Sequence, residues 1–181
     1  MDPQPPPSLT PSHSSGPAMA ISNLLRKGVG VAAGGSILLY FSLVFLRIGY
    51  PFELETFEGL TVDHVSRILG GLPIYVAPSL DFIPNIYPPF FYYLAAGLAF
   101  FLGDDFWVLR LVSVLASVGC LGIMFAYVRR ETGSRFCAFL SAGFYAATYG
   151  VCVGWFDTGR VDSLFLLILL SGIYTLRFWT S

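Results

Sequence analysis

Two acidic clusters, far apart in the chain, carry the side chains most able to do chemistry. The first acidic cluster, residues 51–63, holds three glutamates and an aspartate directly after a long apolar run. The second acidic cluster, residues 155–162, interrupts the apolar sequence much later. Carboxylates at a membrane surface can accept protons from a reacting group, or hold a cation. If folding brings the two clusters together, they form a carboxylate-lined site at one face of a membrane.

Glu58 is the strongest candidate in the first cluster. A helix is expected over residues 55–69, where a pair of glycines follows it. At about 100° per residue, Glu58 falls on the apolar arc of this helix, where a carboxylate must be neutralised, paired or directed into a cavity. Functional carboxylates occupy such surroundings, and Glu55 and Glu53 are weaker candidates. The alternative is a helix that begins later and leaves Glu58 in a loop.

Arginines accompany both clusters. Arg160 lies between Asp157 and Asp162 and could bridge them as a structural ion pair, although charges at a membrane boundary usually mark a ligand path. Arg110 lies about one turn inside an apolar run. It is expected either to extend to the membrane surface or to hold a lipid phosphate with its planar guanidinium group. The sequence favours neither role for Arg110.

Aromatic rings and prolines follow the first acidic cluster. Tyr75 ends the segment 71–75 (GLPIY), and Tyr87 lies in the segment 86–89 (IYPP). Such residues are typical of an interfacial belt. Rings beside carboxylates also suit a sugar, because a pyranose has an apolar face. We therefore expect Tyr75 and Tyr87 to line a substrate site.

The composition indicates a membrane protein. The 181 residues are 55% hydrophobic and 12% charged, with a mean hydropathy of +0.71, whereas soluble domains carry about 25% charged residues. A net charge of −1 argues against a nucleic-acid partner. The three cysteines lie in apolar segments and predict no disulfide framework.

Four apolar runs predict an all-α, polytopic membrane protein with about four transmembrane helices, because about 20 apolar residues cross a bilayer. The runs are residues 28–48, 106–128, 136–154 and, marginally, 163–179. A fifth run, residues 88–103, would reach only about 24 Å as a helix. Residues 1–24 are rich in proline and serine and are expected to form a disordered tail.

Basic residues orient these spans. They are Arg26, Lys27, Arg177 and the three arginines of the loop at residues 129–135. All of them lie in the cytoplasm only if residues 88–103 do not cross the membrane. The N-terminus is then cytoplasmic, in a multi-pass protein of the plasma or inner membrane. Residues 50–105 form an outer loop with juxtamembrane helices, on the same side as the second acidic cluster. If residues 88–103 do cross, the two clusters lie on opposite faces.

The order of these features resembles that of the polytopic GT-C glycosyltransferases. The similarity is greatest to glycosyltransferase family 39, the protein O-mannosyltransferases and the lipid A aminoarabinose transferase. The matching features are Glu58, Arg67 with residues 71–75, residues 87–89, residues 106–110 and residues 160–162. Because family members have many more spans, we expect residues 25–181 to be the N-terminal part of such an enzyme, incomplete on its own.

The resemblance implies a polyprenyl-phosphate-linked sugar as donor and an acceptor glycan, lipid or protein on the outer face. It implies that Glu58 is the general base for the acceptor, and Glu55 competes for this role. It also implies that Arg110, Arg160 and Asp162 lie near the donor phosphate. Direct displacement of that phosphate would invert the anomeric centre.

Three further interpretations stay open. A divalent metal ion, held by Asp157 and Asp162, would stabilise the departing phosphate in place of arginines. A transporter fragment would use Glu58, Arg110 and Asp162 as an ion path, although transporters more often interrupt their helices at the membrane midplane. A non-catalytic or truncated membrane subunit is the third interpretation.

Overall fold

The computed structural model describes residues 16–179, with side chains from residue 19, and this range contains six α-helices joined by turns and irregular segments. The helices are α1 (Gly16–Arg47), α2 (Thr56–Leu69), α3 (Phe90–Leu102), α4 (Phe106–Thr132), α5 (Arg135–Ala147) and α6 (Asp162–Phe178). The predicted all-α class is confirmed. Within the described range, α1 (over Met19–Arg47) and α4 are long and apolar enough to cross a membrane. Four spans remain a prediction, because α5 and α6 are only about 20 and 25 Å long.

Helix α1 begins earlier than the sequence predicted. It starts at Gly16, so the expected disordered tail is wrong for residues 16–24, and residues 1–15 lie outside the described range. Proline is tolerated in the first turn of a helix, where its missing N–H needs no partner, and Pro17 is in that turn. The alanine, methionine and leucine residues that follow are strong helix formers.

Helix α5 ends earlier than the apolar run at residues 136–154 predicted. Its last residue is Ala147, and a series of turns follows. Within these turns Val153 and Gly154 have φ angles of 54° and 72°, which a continuing α-helix does not allow. The second acidic cluster therefore lies mostly within a turn segment, residues 148–161, that connects α5 to α6.

Helices α1 and α5 run in the same direction. Gly30 lies against the ring of Phe136 near the start of α5. The ring of Tyr40, further along α1, lies 5.7 Å from that of Tyr149, just beyond the end of α5. The beginning of α5 thus lies beside residues 26–30 of α1, and the two helices end together.

Helices α4 and α6 are parallel to each other and antiparallel to α5. Near their beginnings, the hydroxyl of Ser113 donates to the carbonyl of Arg160. Near their ends, Arg130 donates to the hydroxyl of Tyr174. A short turn at Gly133, which has a φ of 67°, reverses the chain between α4 and α5. This order gives the bundle an acidic end, which carries both acidic clusters, and a basic end, which carries Arg26, Lys27 and the loop at residues 129–135.

Helices α2 and α3 form a cap on α4 at the acidic end. The bounds predicted for α2 are confirmed: the carboxylate of Glu55 accepts from the Phe57 backbone N–H at 3.0 Å, and Gly70 with Gly71 ends the helix. Apolar side chains from all three helices make one core. Its buried members include Val65, Phe91, Tyr92, Ala95, Val108, Leu109 and Val112.

Candidate functional site at the acidic end

The two acidic clusters meet at the acidic end of the bundle. Glu58 Oε1 accepts from the backbone N–H of Gly159 at 2.7 Å. The carboxylate of Glu55 lies 3.0 Å from Nη1 of Arg160. The juxtaposition on which the predicted site depends is therefore confirmed. The alternative, with the clusters on opposite faces of the bundle, is wrong.

Glu58 forms a buried ion pair with Arg110, and neither side chain is exposed. Arg110 Nε donates to Oε1 at 2.9 Å, and Arg110 Nη2 donates to Oε2 at 2.8 Å. The backbone N–H of Leu54 also donates to Oε2, at 2.7 Å. With the Gly159 contact, each carboxylate oxygen accepts two hydrogen bonds. The sequence predicted that the Glu58 carboxylate, on the apolar arc of α2, would need a partner, and this prediction is confirmed.

The environment of Glu58 holds its carboxyl in the charged form. Burial alone would raise the pKa, but the hydrogen bonds from Arg110 and from the backbones of Leu54 and Gly159 outweigh it, so the pKa lies below its ordinary value. A good general base has a pKa near the working pH and a path to its substrate. Glu58 has neither property here, so this geometry argues against the base role predicted for it.

Arg110 is saturated by protein acceptors. Besides Glu58, its Nη1 donates to the carbonyls of Tyr50 at 2.5 Å and Arg47 at 3.2 Å, and its Nη2 donates to the carbonyl of Phe52 at 2.7 Å. All five guanidinium N–H groups are thus used. The predicted contact between Arg110 and a donor phosphate is corrected on this ground, as is the predicted extension to the surface. Arg110 instead ties the end of α1 to the start of α2.

The open part of the site surrounds Arg160, and we call it the Arg160 patch: Glu55, Phe57, Trp155, Arg160 and Asp162. Arg160 Nε donates to Asp162 Oδ2 at 2.8 Å. Its guanidinium carbon lies 4.1 Å from the ring centroid of Trp155 and 4.9 Å from that of Phe57. The carboxylate side chains of Glu55 and Asp162 are 21% and 40% exposed. Two accessible carboxylates therefore share one guanidinium group.

Arg160 keeps donor capacity that Arg110 lacks. Its Nη1 is close to Glu55 but makes no aligned hydrogen bond in the described part of the chain. Because this nitrogen is buried and paired with Glu55, an incoming oxyanion would have to displace the Glu55 carboxylate to bind it. Of the two arginines predicted to contact a phosphate, Arg160 is the one with a donor that no hydrogen bond already uses, and its phosphate contact remains a prediction.

An apolar groove opens beside Asp162, with a volume of about 300 Å³. It runs between the segment before α3 and the first turns of α6. Its walls are formed by Tyr87, Pro88, Phe90, Phe91, Val161, Leu164, Phe165 and Ile168. Tyr87 is thus on the groove wall. Tyr75 is not, but its hydroxyl donates to the Tyr87 carbonyl at 2.6 Å. The substrate-lining role of both tyrosines remains a prediction.

Asp157 faces away from the Arg160 patch. It is buried; its Oδ1 accepts from the Tyr149 hydroxyl at 2.9 Å, and its Oδ2 lies 3.6 Å from Nε of Arg47. Burial raises its pKa, against the opposing effects of Arg47 and Tyr149. Asp162 is bound to Arg160, so each predicted metal ligand already faces a cation. Among residues 19–179 there is no group of three or more metal-ligating side chains. The residues do not fit the predicted metal ion.

The sequence of residues 87–180 matches the family of dolichyl-phosphate-mannose-protein mannosyltransferases, over about half of the chain. The chain belongs to this family. No curated protein and no solved structure matches the chain significantly. The resemblance noted from the sequence is confirmed. Members of the mannosyltransferase family are integral membrane proteins, and full-length relatives are glycosyltransferases, which favours a transferase over a transporter fragment.

The mannosyltransferase match covers α3 to α6, and thus both the groove and the second acidic cluster. Glu55 and Glu58 precede it. The structure connects them to the matched region through Arg110, Gly159 and Arg160. The unmatched first acidic cluster is therefore part of the same site.

Two residues beside the site, Arg47 and His64, were not among the predicted site residues. Arg47 closes α1 and faces Asp157, and an arginine after an apolar run signals this only weakly. His64 is buried, with Nδ1 2.6 Å from the carbonyl of Leu60 and Nε2 2.9 Å from the backbone N–H of Asn85. The backbone N–H of Asn85 can only donate, so Nε2 of His64 accepts and Nδ1 carries the ring proton. This histidine fixes the loop that leads to Tyr87.

The lowered pKa of Glu58 predicts a specific response to acid. Its contribution to stability is complete above the ordinary value of 4.5 and is lost as the pH falls through the folded-state pKa. Glu58→Gln should therefore be less stable than the natural protein at pH 7, and the difference should narrow as the pH falls below 4.5. Unfolding in mixed micelles between pH 7 and 3 measures this difference. A difference that stays constant would contradict the prediction.

Proposed function

We propose that this chain forms the catalytic face of a membrane glycosyltransferase. This enzyme transfers a sugar from a polyprenyl-phosphate donor to an acceptor on the outer side of the membrane. The observation that carries the proposal is the Arg160 patch at the mouth of an apolar groove. One guanidinium group with a donor that makes no hydrogen bond, two partly exposed carboxylates and two aromatic rings lie beside a groove that an apolar chain can enter from the side.

The donor would lie with its prenyl chain in the groove and its phosphate at Arg160. The groove walls are apolar except for Asp162 at one end, which suits a hydrocarbon chain that carries one polar head. Guanidinium groups bind phosphate with charge-assisted hydrogen bonds. The rings of Trp155 and Phe57 beside Arg160 offer apolar surfaces to the sugar.

Glu55 would act as the general base in place of Glu58. Its carboxylate is partly exposed and held at the start of α2 beside Arg160. It would take the proton of the acceptor hydroxyl as that oxygen bonds to the anomeric carbon. The bond between the anomeric carbon and the phosphate oxygen breaks, and polyprenyl phosphate leaves with its charge offset by Arg160. This displacement inverts the anomeric centre.

The proposed orientation places the basic end in the cytoplasm. Helices α5 and α6 then cross the bilayer with α1 and α4, and α3 lies along the outer interface with α2. The N-terminus is cytoplasmic, and the protein is a multi-pass protein of the plasma or inner membrane. The separation of the acidic and basic ends along the bundle supports this orientation.

A transfer assay tests the proposed function. Because residues 25–181 are expected to be incomplete on their own, the assay uses membranes from cells that express a full-length family member with these residues as its N-terminal part. These membranes should move labelled mannose, or another sugar from a panel of polyprenyl-phosphate sugars, to an endogenous acceptor. A water-soluble nucleotide sugar should not serve as donor when synthesis of the lipid-linked donor is blocked. Labelling no higher than in membranes that lack the protein would contradict the proposed activity and favour the non-catalytic subunit.

A further inference from the structure

A second groove lies at the basic end of the bundle, opposite the Arg160 patch. It opens between α1 and α5 and has a volume of about 660 Å³. Arg26 and Lys27 form its rim together with Asn23, and Val31, Phe136 and Phe139 form its walls. We call it the basic groove. Its rim and its walls differ in chemistry, and this difference identifies an occupant.

The rim of the basic groove carries uncompensated positive charge. The guanidinium carbon of Arg26 lies 4.5 Å from the ring centroid of Phe136, which holds this cation over the groove. Lys27 is next to it, and no carboxylate among residues 19–179 lines the groove. In the described part of the basic end, the acid is Glu131, which is bound to Arg177. An anion is therefore the ligand that the rim would attract.

The walls of the groove are apolar and lie one helical turn further into the bundle. Gly30 and Val31 follow Arg26 and Lys27 by one turn of α1, about 5.4 Å along the axis. Gly30 leaves room for the ring of Phe136, since a Cβ added there would lie 3.3 Å from a ring carbon. A ligand that fits both parts has an anionic head and an apolar tail that extends toward the middle of the bundle.

We propose that the basic groove binds an anionic phospholipid, with its phosphate at Arg26 and Lys27 and an acyl chain along Val31 and Phe139. Basic pockets between transmembrane helices bind anionic lipid headgroups, at about 1 kcal/mol per basic residue near the surface. A neighbouring groove along the same helices, bounded by Val29, Met124 and Phe144, has no charged side chain and gives no such preference. The site is distinct from the Arg160 patch and does not depend on the proposed transferase activity.

Native mass spectrometry of the whole chain in neutral detergent tests this site. At equal concentrations, phosphatidylglycerol should remain bound at least about tenfold more than phosphatidylcholine. The double variant R26Q/K27Q should lose this preference. The matched control R129Q/R130Q removes the same charge at the same end, outside the groove, and should keep the preference. Equal loss in both double variants would overturn the proposal in favour of general attraction to a positive surface.

Two further measurements keep the test decisive. If R26Q/K27Q does not fold, judged by circular dichroism, the single variant Lys27→Glu at an exposed position should still weaken phosphatidylglycerol binding. Unchanged binding in a folded Lys27→Glu protein would overturn the site. Glycerol phosphate, which has the headgroup without the tail, should not displace the lipid at equal concentration. Displacement by glycerol phosphate would show a free-phosphate site and overturn the lipid assignment.

Discussion

Replacing Arg110 with methionine should lower the unfolding free energy by about 3–5 kcal/mol, because Glu58 would stay buried without its cation. The carbonyls of Tyr50 and Phe52 would also lose their donor. Titration with sodium dodecyl sulfate in mixed micelles, followed by circular dichroism, measures this change. The loss is large compared with the effect of a typical substitution.

Two further variants show whether the loss arises from the buried pair. Glu58→Leu combined with Arg110→Met removes both charges and should recover much of the stability, because the unpaired charge causes most of the cost. Arg130→Met is the matched control on the same helix. Arg130 stacks on Tyr174 and Phe178 at the surface, so its loss should cost less than about 1 kcal/mol. An Arg110→Met protein as stable as the Arg130→Met control would contradict this account of the ion pair between Arg110 and Glu58.

Glu55→Gln should reduce the rate of sugar transfer by about 100-fold or more while the protein stays folded. This is the usual contribution of a general base. The amide oxygen of glutamine can still accept from the Phe57 backbone N–H, which Glu55 now caps at 3.0 Å, so α2 should keep its start. The transfer assay with polyprenyl-phosphate donors measures the rate, and circular dichroism checks the fold.

Glu53→Gln is the matched control for this prediction. Glu53 is an exposed carboxylate two residues earlier in the same segment, and its replacement should leave transfer within about twofold of the natural rate. If Glu55→Gln keeps full activity, while a folded Glu58→Gln protein loses it, then Glu55 is not the base. The base is then Glu58, as the family resemblance implied.

The sequence contains enough information to place the site, because its signals there are local or periodic. Glu55 and the glycines after Leu69 mark the ends of α2 with known capping chemistry, and the structure has these bounds. The angle of Glu58 on the apolar arc requires a partner, and the structure provides Arg110. The basic loops require both acidic clusters to lie at one end of the bundle. Each inference rests on side-chain type and helical period, which a sequence displays directly.

The details that the sequence could not show depend on backbone groups and on neighbours in space. Arg110 is held largely by the carbonyls of Arg47, Tyr50 and Phe52, and every residue has a carbonyl, so no residue type identifies the acceptors. The Gly159 N–H that reaches Glu58 is equally unmarked. The sequence could not show that Asp157 and Asp162 do not face each other: Asp157 lies against Arg47, whereas Asp162 binds Arg160.

The contacts that hold Arg110 affect the order in which the protein can fold during synthesis. The groups that hold this guanidinium, from Arg47 to Glu58, all precede it in the chain. When the ribosome delivers Arg110 to the translocon, the residues that supply its acceptors have already been synthesised. The guanidinium charge can therefore be paired before later segments emerge. Gly159 emerges afterwards and docks onto a finished framework. The segment up to Arg110 can thus settle during synthesis, before the turn that carries Arg160 joins it.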